Sequence, residues 1–226
     1  METNNSLEEM GAFFNCRAEI YDEKHLEHIN GGFTSKKVIA SFLPEGTRTL
    51  LDIGIGTGLE LEEIFKRFPY IEVTGLDVAE NMLSLVRTKY PNNIIKLYNA
   101  DCFSFDFGYC MYDVALSVMT LHHYNREDKM GLYRRLHSAL KPGGMYIEGD
   151  YMITRPDGEG AQEIERFNFS ELERLKREQG ISDDKIYHYD TPCTVEHQKE
   201  MLFLSGFKSI HEVWRAENNI ILVAGK

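Results

Sequence analysis

A glycine-rich turn between a predicted strand and a predicted helix constrains this chain more than any other sequence feature. The strand is the apolar run Thr49–Ile53, and Gly54, Gly56 and Gly58 follow it at alternate positions. Glycine tolerates the left-handed backbone of a tight turn and lets a ligand approach the main chain at the start of the next helix. The pattern therefore predicts a nucleotide-type binding site at the end of a buried strand.

Strand and helix patterns alternate on both sides of this turn, which favours a doubly wound α/β fold with a mostly parallel sheet. The predicted strands are residues 49–53, 71–76, 94–98, 112–118 and 145–148, followed later by 207–214 and 219–224. The predicted helices are residues 59–68, 79–90, 126–140, 161–179 and 195–204, with a loop at 155–160.

We interpret the 226 residues as one domain with covering elements. Residues 1–45 are predicted to form an N-terminal helical lid, and residues 46–150 the cofactor-binding core. Residues 151–193 are predicted as a cap over the substrate, because the regular alternation lapses there and such segments usually shape a cavity. Residues 194–226 supply the last helix and the closing strands.

The charge balance argues against a nucleic-acid partner. The chain has 25 Lys and Arg against 36 Asp and Glu, a net charge of −11, and the basic residues are scattered among acids. Proteins that neutralise phosphates normally present a basic face. No apolar run of about 18 residues predicts a membrane span, and the first residues do not resemble a secretory signal. We therefore expect a cytoplasmic protein with no membrane partner.

The cysteines and histidines predict no metal site. Cys16, Cys102, Cys110 and Cys193 are widely separated, and none forms a CxxC pair. Structural zinc sites usually show close ligand spacing. Free thiols in a reducing compartment are the expected state.

Three acidic residues near the predicted strand ends narrow the class of ligand. Asp77 ends the second strand, where a carboxylate can accept both hydroxyls of a ribose. Asp101 follows the third strand, where it could bind an adenine amino group. Asp52 stands two residues before Gly54, a position unsuited to an anionic pyrophosphate. It suits a ligand with a cationic amino group, which argues against a nicotinamide dehydrogenase.

With these residues in view, the chain resembles the class I S-adenosylmethionine-dependent methyltransferases. Five segments are similar to motifs of that family and occur in its order, namely residues 51–58, 75–83, 99–102, 112–118 and 140–144. The resemblance implies a Rossmann-like sheet of seven strands with an antiparallel last strand. It also implies S-adenosyl-L-methionine as cofactor and S-adenosyl-L-homocysteine as product.

The resemblance assigns candidate cofactor contacts residue by residue. It places Asp77 on the ribose, Met82 against the adenine, and Asp101 with the backbone of Cys102 at the adenine edge. Tyr21, in a segment similar to the family's lid helix, would reach the carboxylate end of the cofactor. The full predicted set is Tyr21, Asp52, Gly54, Gly56, Gly58, Asp77, Val78, Met82, Asp101, Cys102, Ser117 and Val118.

His122 and His123 are the candidate catalytic residues. Both follow the fourth strand, at the carboxyl end of the sheet, where ligands of such folds bind. Histidine titrates near neutral pH, so either could accept a proton from an oxygen or nitrogen nucleophile. A packed or hydrogen-bonded histidine pair is the alternative.

The leading hypothesis is methyl transfer to a small-molecule acceptor by in-line displacement. Three alternatives stay open: a tRNA-modification enzyme, an enzyme like the carboxy-S-adenosylmethionine synthases, and an inactive cofactor-binding regulatory protein. The apolar side of the 161–179 helix could cover the pocket or a second subunit of a homodimer.

Overall fold

A seven-stranded sheet forms the centre of the computed structural model, which describes residues 6–28, 32–154, 158–181 and 185–226. The strands are β1 Thr49–Ile53, β2 Glu72–Asp77, β3 Ile95–Asn99, β4 Tyr112–Val118, β5 Leu140–Tyr151, β6 Ser209–Ala216 and β7 Asn219–Gly225. Their order is β3-β2-β1-β4-β5-β7-β6, and β7 is antiparallel to both of its neighbours. The predicted fold class, including the antiparallel last strand, is confirmed.

Helices cover both faces of this sheet. They are α1 Met10–His28, α2 Gly32–Phe42, α3 Leu61–Arg67, α4 Glu80–Lys89, α5 Arg126–Ala139, α6 Gly158–Gln179 and α7 Val195–Leu204, with a 3-10 turn at Leu121–His123. Buried residues of α2, α3 and α4 pack on one face, and those of α5 and α7 pack on the other.

The two cores follow from the period-two alternation of side chains along each strand. Leu50 faces the α2–α4 side, whereas Leu51 faces the α5–α7 side, and both are fully buried. Ile147 and Tyr146 divide in the same way on β5. Strands that are buried on both faces read as continuous apolar runs, as β1 and β4 do.

Two predicted boundaries are wrong for identifiable reasons. The fifth strand begins at Leu140, because Leu140 already pairs with Tyr112 of β4. An irregularity follows, and the regular pairing resumes between Met145 and Val114. The predicted turn at residues 141–144 therefore lies within the strand. Residues 158–160 belong to α6 and not to the predicted loop, since a glycine near a helix start weakens a helix without ending it; residues 155–157 lie outside the described residues.

The apolar side of α6 is only partly covered. Leu172 and Leu175 are buried, but Phe167 is 62% exposed. None of the helices within the described ranges is long and apolar enough to cross a membrane.

The strand order reverses between β1 and β4, and this reversal positions the site. The chain proceeds from β1 to β2 and β3 on one side, then returns to β4 and β5 on the other. In open α/β sheets the crevice at the carboxyl ends of such strands binds ligands. The turn after β1 and the 3-10 turn after β4 both lie at this edge.

The sheet core predicts a large stability difference between two leucine truncations. Leu50 is fully buried, whereas Leu204 at the end of α7 is 56% exposed. Leu50→Ala should lower the free energy of unfolding by about 2–5 kcal/mol, because it leaves a cavity beside β1. The matched Leu204→Ala should change it by less than about 0.5 kcal/mol. Urea unfolding measures both, and equal losses would contradict this account of the core.

Candidate active site

Two cavities that open to solvent flank the turn after β1. The first, here called the β2 cavity, is lined by Met10, Phe14, Tyr21, Gly54, Gly56, Leu76, Asp77, Val78, Met82, Ala100, Cys102, Val118, Met119, Thr120, His123 and Tyr124. The second, the β5 cavity, shares Tyr21, Gly54, Gly56, Val118 and Met119 and adds residues that include Lys36, Glu60, Asp150 and Trp214. The shared residues make the two cavities halves of one cleft.

The glycine turn needs its glycines for both conformation and space. Gly54 and Gly56 have φ values of 65° and 53°, in the left-handed region. A Cβ on Gly54 would overlap the Thr120 side chain. The turn is held from outside by Asp77, whose Oδ2 accepts the Gly56 N–H at 2.9 Å.

Asp77 lines the β2 cavity and braces two backbone segments. Its Oδ1 accepts the Ala79 N–H at 2.8 Å, and its Oδ2 takes the Gly56 N–H. Burial raises the pKa of this carboxyl, while the backbone N–H groups oppose the shift. A carboxylate has further lone pairs, so Asp77 can also accept donors from a ligand in the cavity.

Two more carboxyls lie buried around the turn. Asp52 is fully buried, and neither of its oxygens has a hydrogen-bond partner among the described residues. Burial, reinforced by Glu60 and Asp77, raises the pKa of Asp52. Glu60 is 6% exposed and lines the β5 cavity, and burial raises its pKa to about 7. A buried carboxylate without a donor is costly, so this cluster favours a cationic ligand.

Lys36 supplies a positive charge to the same cleft. It lies on α2 and lines the β5 cavity. Burial lowers the pKa of Lys36, although the charges of Glu60 and Asp22 oppose the shift. Tyr21, on α1, lines both cavities. Its pKa is raised mainly by burial and to a lesser extent by the negative charge of Glu60. Both side chains therefore lie beside the buried acids.

The two histidines occupy different positions. His122 lies behind the cleft, with its Nδ1 2.6 Å from Asp150 Oδ1. Burial alone would lower the pKa of His122. The negative charge of Asp150 and its hydrogen bond to the ring outweigh burial, so the pKa of His122 is raised. Asp150 is fixed in turn, because its Oδ2 accepts the Leu121 N–H at 2.8 Å.

His123 lines the β2 cavity. Its Nδ1 is 3.1 Å from Asp190 Oδ1 and 3.3 Å from the Tyr189 carbonyl oxygen. Burial and the charge of His122 lower the pKa of His123, so the ring is neutral near pH 7. Ligand atoms of His122, His123 and Asp190 lie within 4.8 Å of one another. The His123–Asp190 distance is within the range of a hydrogen bond.

The structure brings most of the predicted site residues to the cleft. Those that line it are Tyr21, Gly54, Gly56, Asp77, Val78, Met82, Cys102, Val118 and His123. Gly58 packs within the turn beside Leu61 and Tyr90, and Asp52 is buried behind the turn. The Asp101 carboxylate accepts the Phe103 N–H at 2.9 Å, and Ser117 Oγ lies 2.6 Å from Tyr146 Oη in the core. Asp101 and Ser117 do not line either cavity.

Several lining residues were not predicted. Glu60 follows the glycine turn at the start of α3, so an acid so close to the turn was a usable signal. Lys36 and Thr120 carry no such local signal. Trp214 is half-buried, packs against the core and lines the β5 cavity.

Comparisons with known proteins agree with this architecture. Residues 50–144 match the family described as "Methyltransferase domain". An uncharacterized methyltransferase of Mycobacterium bovis is 31% identical over 107 residues, which are 47% of this chain and 52% of that protein. The chain thus spans about half the length of such curated relatives. A carboxy-S-adenosyl-L-methionine synthase of Staphylococcus epidermidis is 27% identical over 195 residues, covering 82% of this chain and 81% of that protein.

Solved structures show the same fold at low sequence identity. The DhpI–SAH complex superposes with a TM-score of 0.66 at 14% identity, covering 94% of this chain and 93% of that one. Human N-acetylserotonin methyltransferase in complex with SAM gives 0.64 at 16% identity, covering 95% and 55%.

The strand order, the glycine turn and the acids at the strand ends define a Rossmann-like methyltransferase fold. Residues 50–144 are similar to the family described as "Methyltransferase domain", and the fold around them is that of the class I S-adenosylmethionine-dependent methyltransferases.

The residues present fit the cofactor of that family. S-adenosylmethionine carries an ammonium group and a sulfonium, and Asp52 and Glu60 are buried carboxyls beside the turn. The positive φ values and the Thr120 contact leave no room for a side chain at Gly54, so the turn is built for close approach. Asp77 faces the half of the cleft that has Met82 and Cys102 on its wall.

The raised pKa of Glu60 predicts how stability depends on pH. The pKa rises from 4.5 to about 7 in the fold, so the folded protein holds this proton more tightly than the unfolded chain. The stability from this group is present below about pH 4.5 and lost as the pH rises to 7. Glu60→Gln should remove roughly 3 kcal/mol of that loss in the ligand-free protein. Part of the pH dependence of stability remains in this variant, because burial also raises the pKa of Glu148 to about 7.

Urea unfolding at several pH values between 4.5 and 8 measures this effect. The matched control is Glu62→Gln on the same helix, because Glu62 is exposed and paired with Lys66 at 2.9 Å. The control should follow the wild-type profile. An unchanged profile in Glu60→Gln would show that folding does not raise the pKa of Glu60.

Proposed function

We propose that this protein transfers a methyl group from S-adenosylmethionine to a small-molecule acceptor. The observation that carries the proposal is the group of three buried or half-buried carboxyls, Asp52, Glu60 and Asp77, around a glycine turn. A pyrophosphate would be repelled there, whereas the ammonium and sulfonium groups of this cofactor are attracted. The comparisons with methyltransferases support the same reading.

The cleft provides a role for each of its ends. Asp77 is placed to accept the ribose hydroxyls, with Val78, Met82 and Cys102 as the wall for the adenine. Asp52 and Glu60 would compensate the ammonium group, and Lys36 with Tyr21 would bind the carboxylate. Asp101 and Ser117 would contribute through the backbone or not at all, since their side chains bond to other protein groups.

The bound cofactor supplies an already activated methyl carbon, so the protein mainly has to align the reactants. Val118 and Met119 line both halves of the cleft at the end of β4 and would limit how far the acceptor enters it. His123 lines the cavity and is neutral near pH 7, which suits a proton acceptor for an oxygen or nitrogen nucleophile. His122 would hold the loop through Asp150 and act indirectly.

A small acceptor is favoured over tRNA. The net charge is −11, and Lys36 is the one ammonium or guanidinium group among the described residues that line the two cavities. α1 covers the β2 cavity with Met10, Phe14 and Tyr21, which leaves limited access for a large substrate. The residues proposed to contact the cofactor are present in the cleft, which makes an inactive regulatory protein the weaker alternative.

A carboxy-S-adenosylmethionine synthase is the second candidate, because such relatives match about four fifths of both chains. Its product carries two carboxylates, and each needs a cationic or strongly hydrogen-bonding partner. Within the described part of the cleft, Lys36 can serve only one of them. This shortage of cations favours methyl transfer.

Asp77 provides the direct test of cofactor binding. Asp77→Asn should weaken S-adenosylmethionine and S-adenosylhomocysteine about 10- to 100-fold, because hydrogen bonds to a charged group are lost. Asp106→Asn, on an exposed loop, is the matched control and should bind as the wild type does. Titration calorimetry with both cofactors and with NAD measures this. Tight binding of NAD together with no binding of S-adenosylmethionine would refute the proposed function.

Lys36 tests which carboxylate the cleft accommodates. Lys36→Met should weaken S-adenosylmethionine about tenfold, while adenosine, which has no carboxylate, binds equally to both proteins. The wild type should also prefer S-adenosylmethionine over carboxy-S-adenosylmethionine. Competition calorimetry checks both points, and a preference for the carboxylated cofactor would favour the second candidate.

A further inference from the structure

The segment of residues 185–194, which leads into α7, crosses over the two histidines. Thr191, which is 5% exposed, fixes it there: its N–H donates to the His122 carbonyl at 2.7 Å, and its Oγ1 lies 3.3 Å from the same oxygen. Further on, the Ile153 N–H donates to the Cys193 carbonyl at 3.0 Å. The residue before Thr191 is Asp190, so the segment holds that carboxylate beside His123.

The hydrogen bonds of His123 determine which ring nitrogen carries the proton. Its Nδ1 faces the Asp190 carboxylate at 3.1 Å and the Tyr189 carbonyl at 3.3 Å. Both groups are acceptors only, since the pKa of Asp190 is lowered to about 2: burial would raise it, but the hydrogen bond to His123 and the neighbouring histidines outweigh that effect. Nδ1 is therefore the donor, and Nε2 carries the lone pair.

Of the two histidines, His123 is the one within hydrogen-bonding distance of Asp190. His122 Nε2 lies 3.7 Å from Asp190 Oδ1, beyond hydrogen-bonding distance. His122 is already held by Asp150 through its other nitrogen. The two histidines thus have separate carboxylates, and Asp190 serves the one that lines the β2 cavity.

The segment is also attached to α1, the helix that covers the cleft. The Met10 N–H donates to the Ile186 carbonyl, and the His188 N–H donates to the Glu8 carbonyl, both at 2.9 Å. The His188 ring stacks on Phe13, with centroids 3.5 Å apart and planes at 8°. These contacts link the position of Asp190 to the position of α1. Met10 of α1 also lines the β2 cavity.

We propose that Asp190 is a positioning residue that holds His123 as the Nδ1–H tautomer, so that Nε2 is free to take a proton from the acceptor, and that α1 holds the segment in place. This rests on the proposed function for its chemical purpose. In water the neutral imidazole of histidine favours the opposite, Nε2–H form. The pair resembles the orienting carboxylate of hydrolase triads in its physical logic.

The tautomer can be measured without knowing the acceptor. Long-range proton–nitrogen NMR of 15N-histidine-labelled protein, freed of metal ions, distinguishes the two forms, and a His123→Asn sample assigns the signal. The wild type should show His123 as Nδ1–H. Asp190→Ala should raise the Nε2–H fraction, because only the longer contact with the Tyr189 carbonyl then remains at Nδ1, whereas Asp106→Ala, which removes an exposed acid on another loop, should not.

A second pair of variants tests the attachment to α1. Met10 is the first residue of the helix, a position that accepts proline. Met10→Pro removes the N–H that donates to Ile186, and the Nδ1–H form should become the minor one. Met10→Ala keeps that N–H and should keep the wild-type tautomer.

The outcomes separate this proposal from the proposed function. An Nε2–H form in the wild type, or an unchanged tautomer in Asp190→Ala, overturns the role of Asp190. An unchanged tautomer in Met10→Pro overturns the role of α1. S-adenosylhomocysteine affinity, measured on the same samples, should be equal in wild type and Asp190→Ala. Failure of the wild type to bind it would refute the methyltransferase proposal while leaving the tautomer result intact.

Discussion

The left-handed turn after β1 is the constraint on which the site depends. Gly54 and Gly56 let the chain reverse within a few residues, and the Gly56 N–H then meets the Asp77 carboxylate at 2.9 Å. That hydrogen bond joins the carboxyl ends of β1 and β2, and Thr120 closes on Gly54 from the end of β4. Three strands thus converge on one turn, and both halves of the cleft open beside it.

The electrostatics of the cleft follow from this convergence. Bringing the ends of β1 and β2 and the start of α3 together buries Asp52, Asp77 and Glu60 near one another, and burial raises the pKa of all three. Lys36 offsets only part of the negative charge. Burying these acids close together is unfavourable, and a cationic ligand would relieve that cost.

Local sequence signals predicted the elements well where one physical effect dominates. Apolar runs located β1 and β4 at their observed bounds, and the predicted helix 195–204 coincides with α7. The predictions failed where pairing or packing overrides local preference. β5 extends back to Leu140 because a bulge keeps the turn paired with β4, and α6 begins before the predicted loop ends. Ser117 lies on the predicted strand, but its side chain faces the core and not the ligand.

The sequence by itself determined the fold class, the glycine turn and the acids that stand beside it, because strand periodicity and glycine conformation act over a few residues. Only the tertiary structure decided which groups meet across long separations. It placed Lys36 and Glu60 in one cavity, put His122 behind His123, and brought Asp190 to the ring of His123. Such contacts depend on how helices and loops pack on the sheet, and no local pattern records that packing.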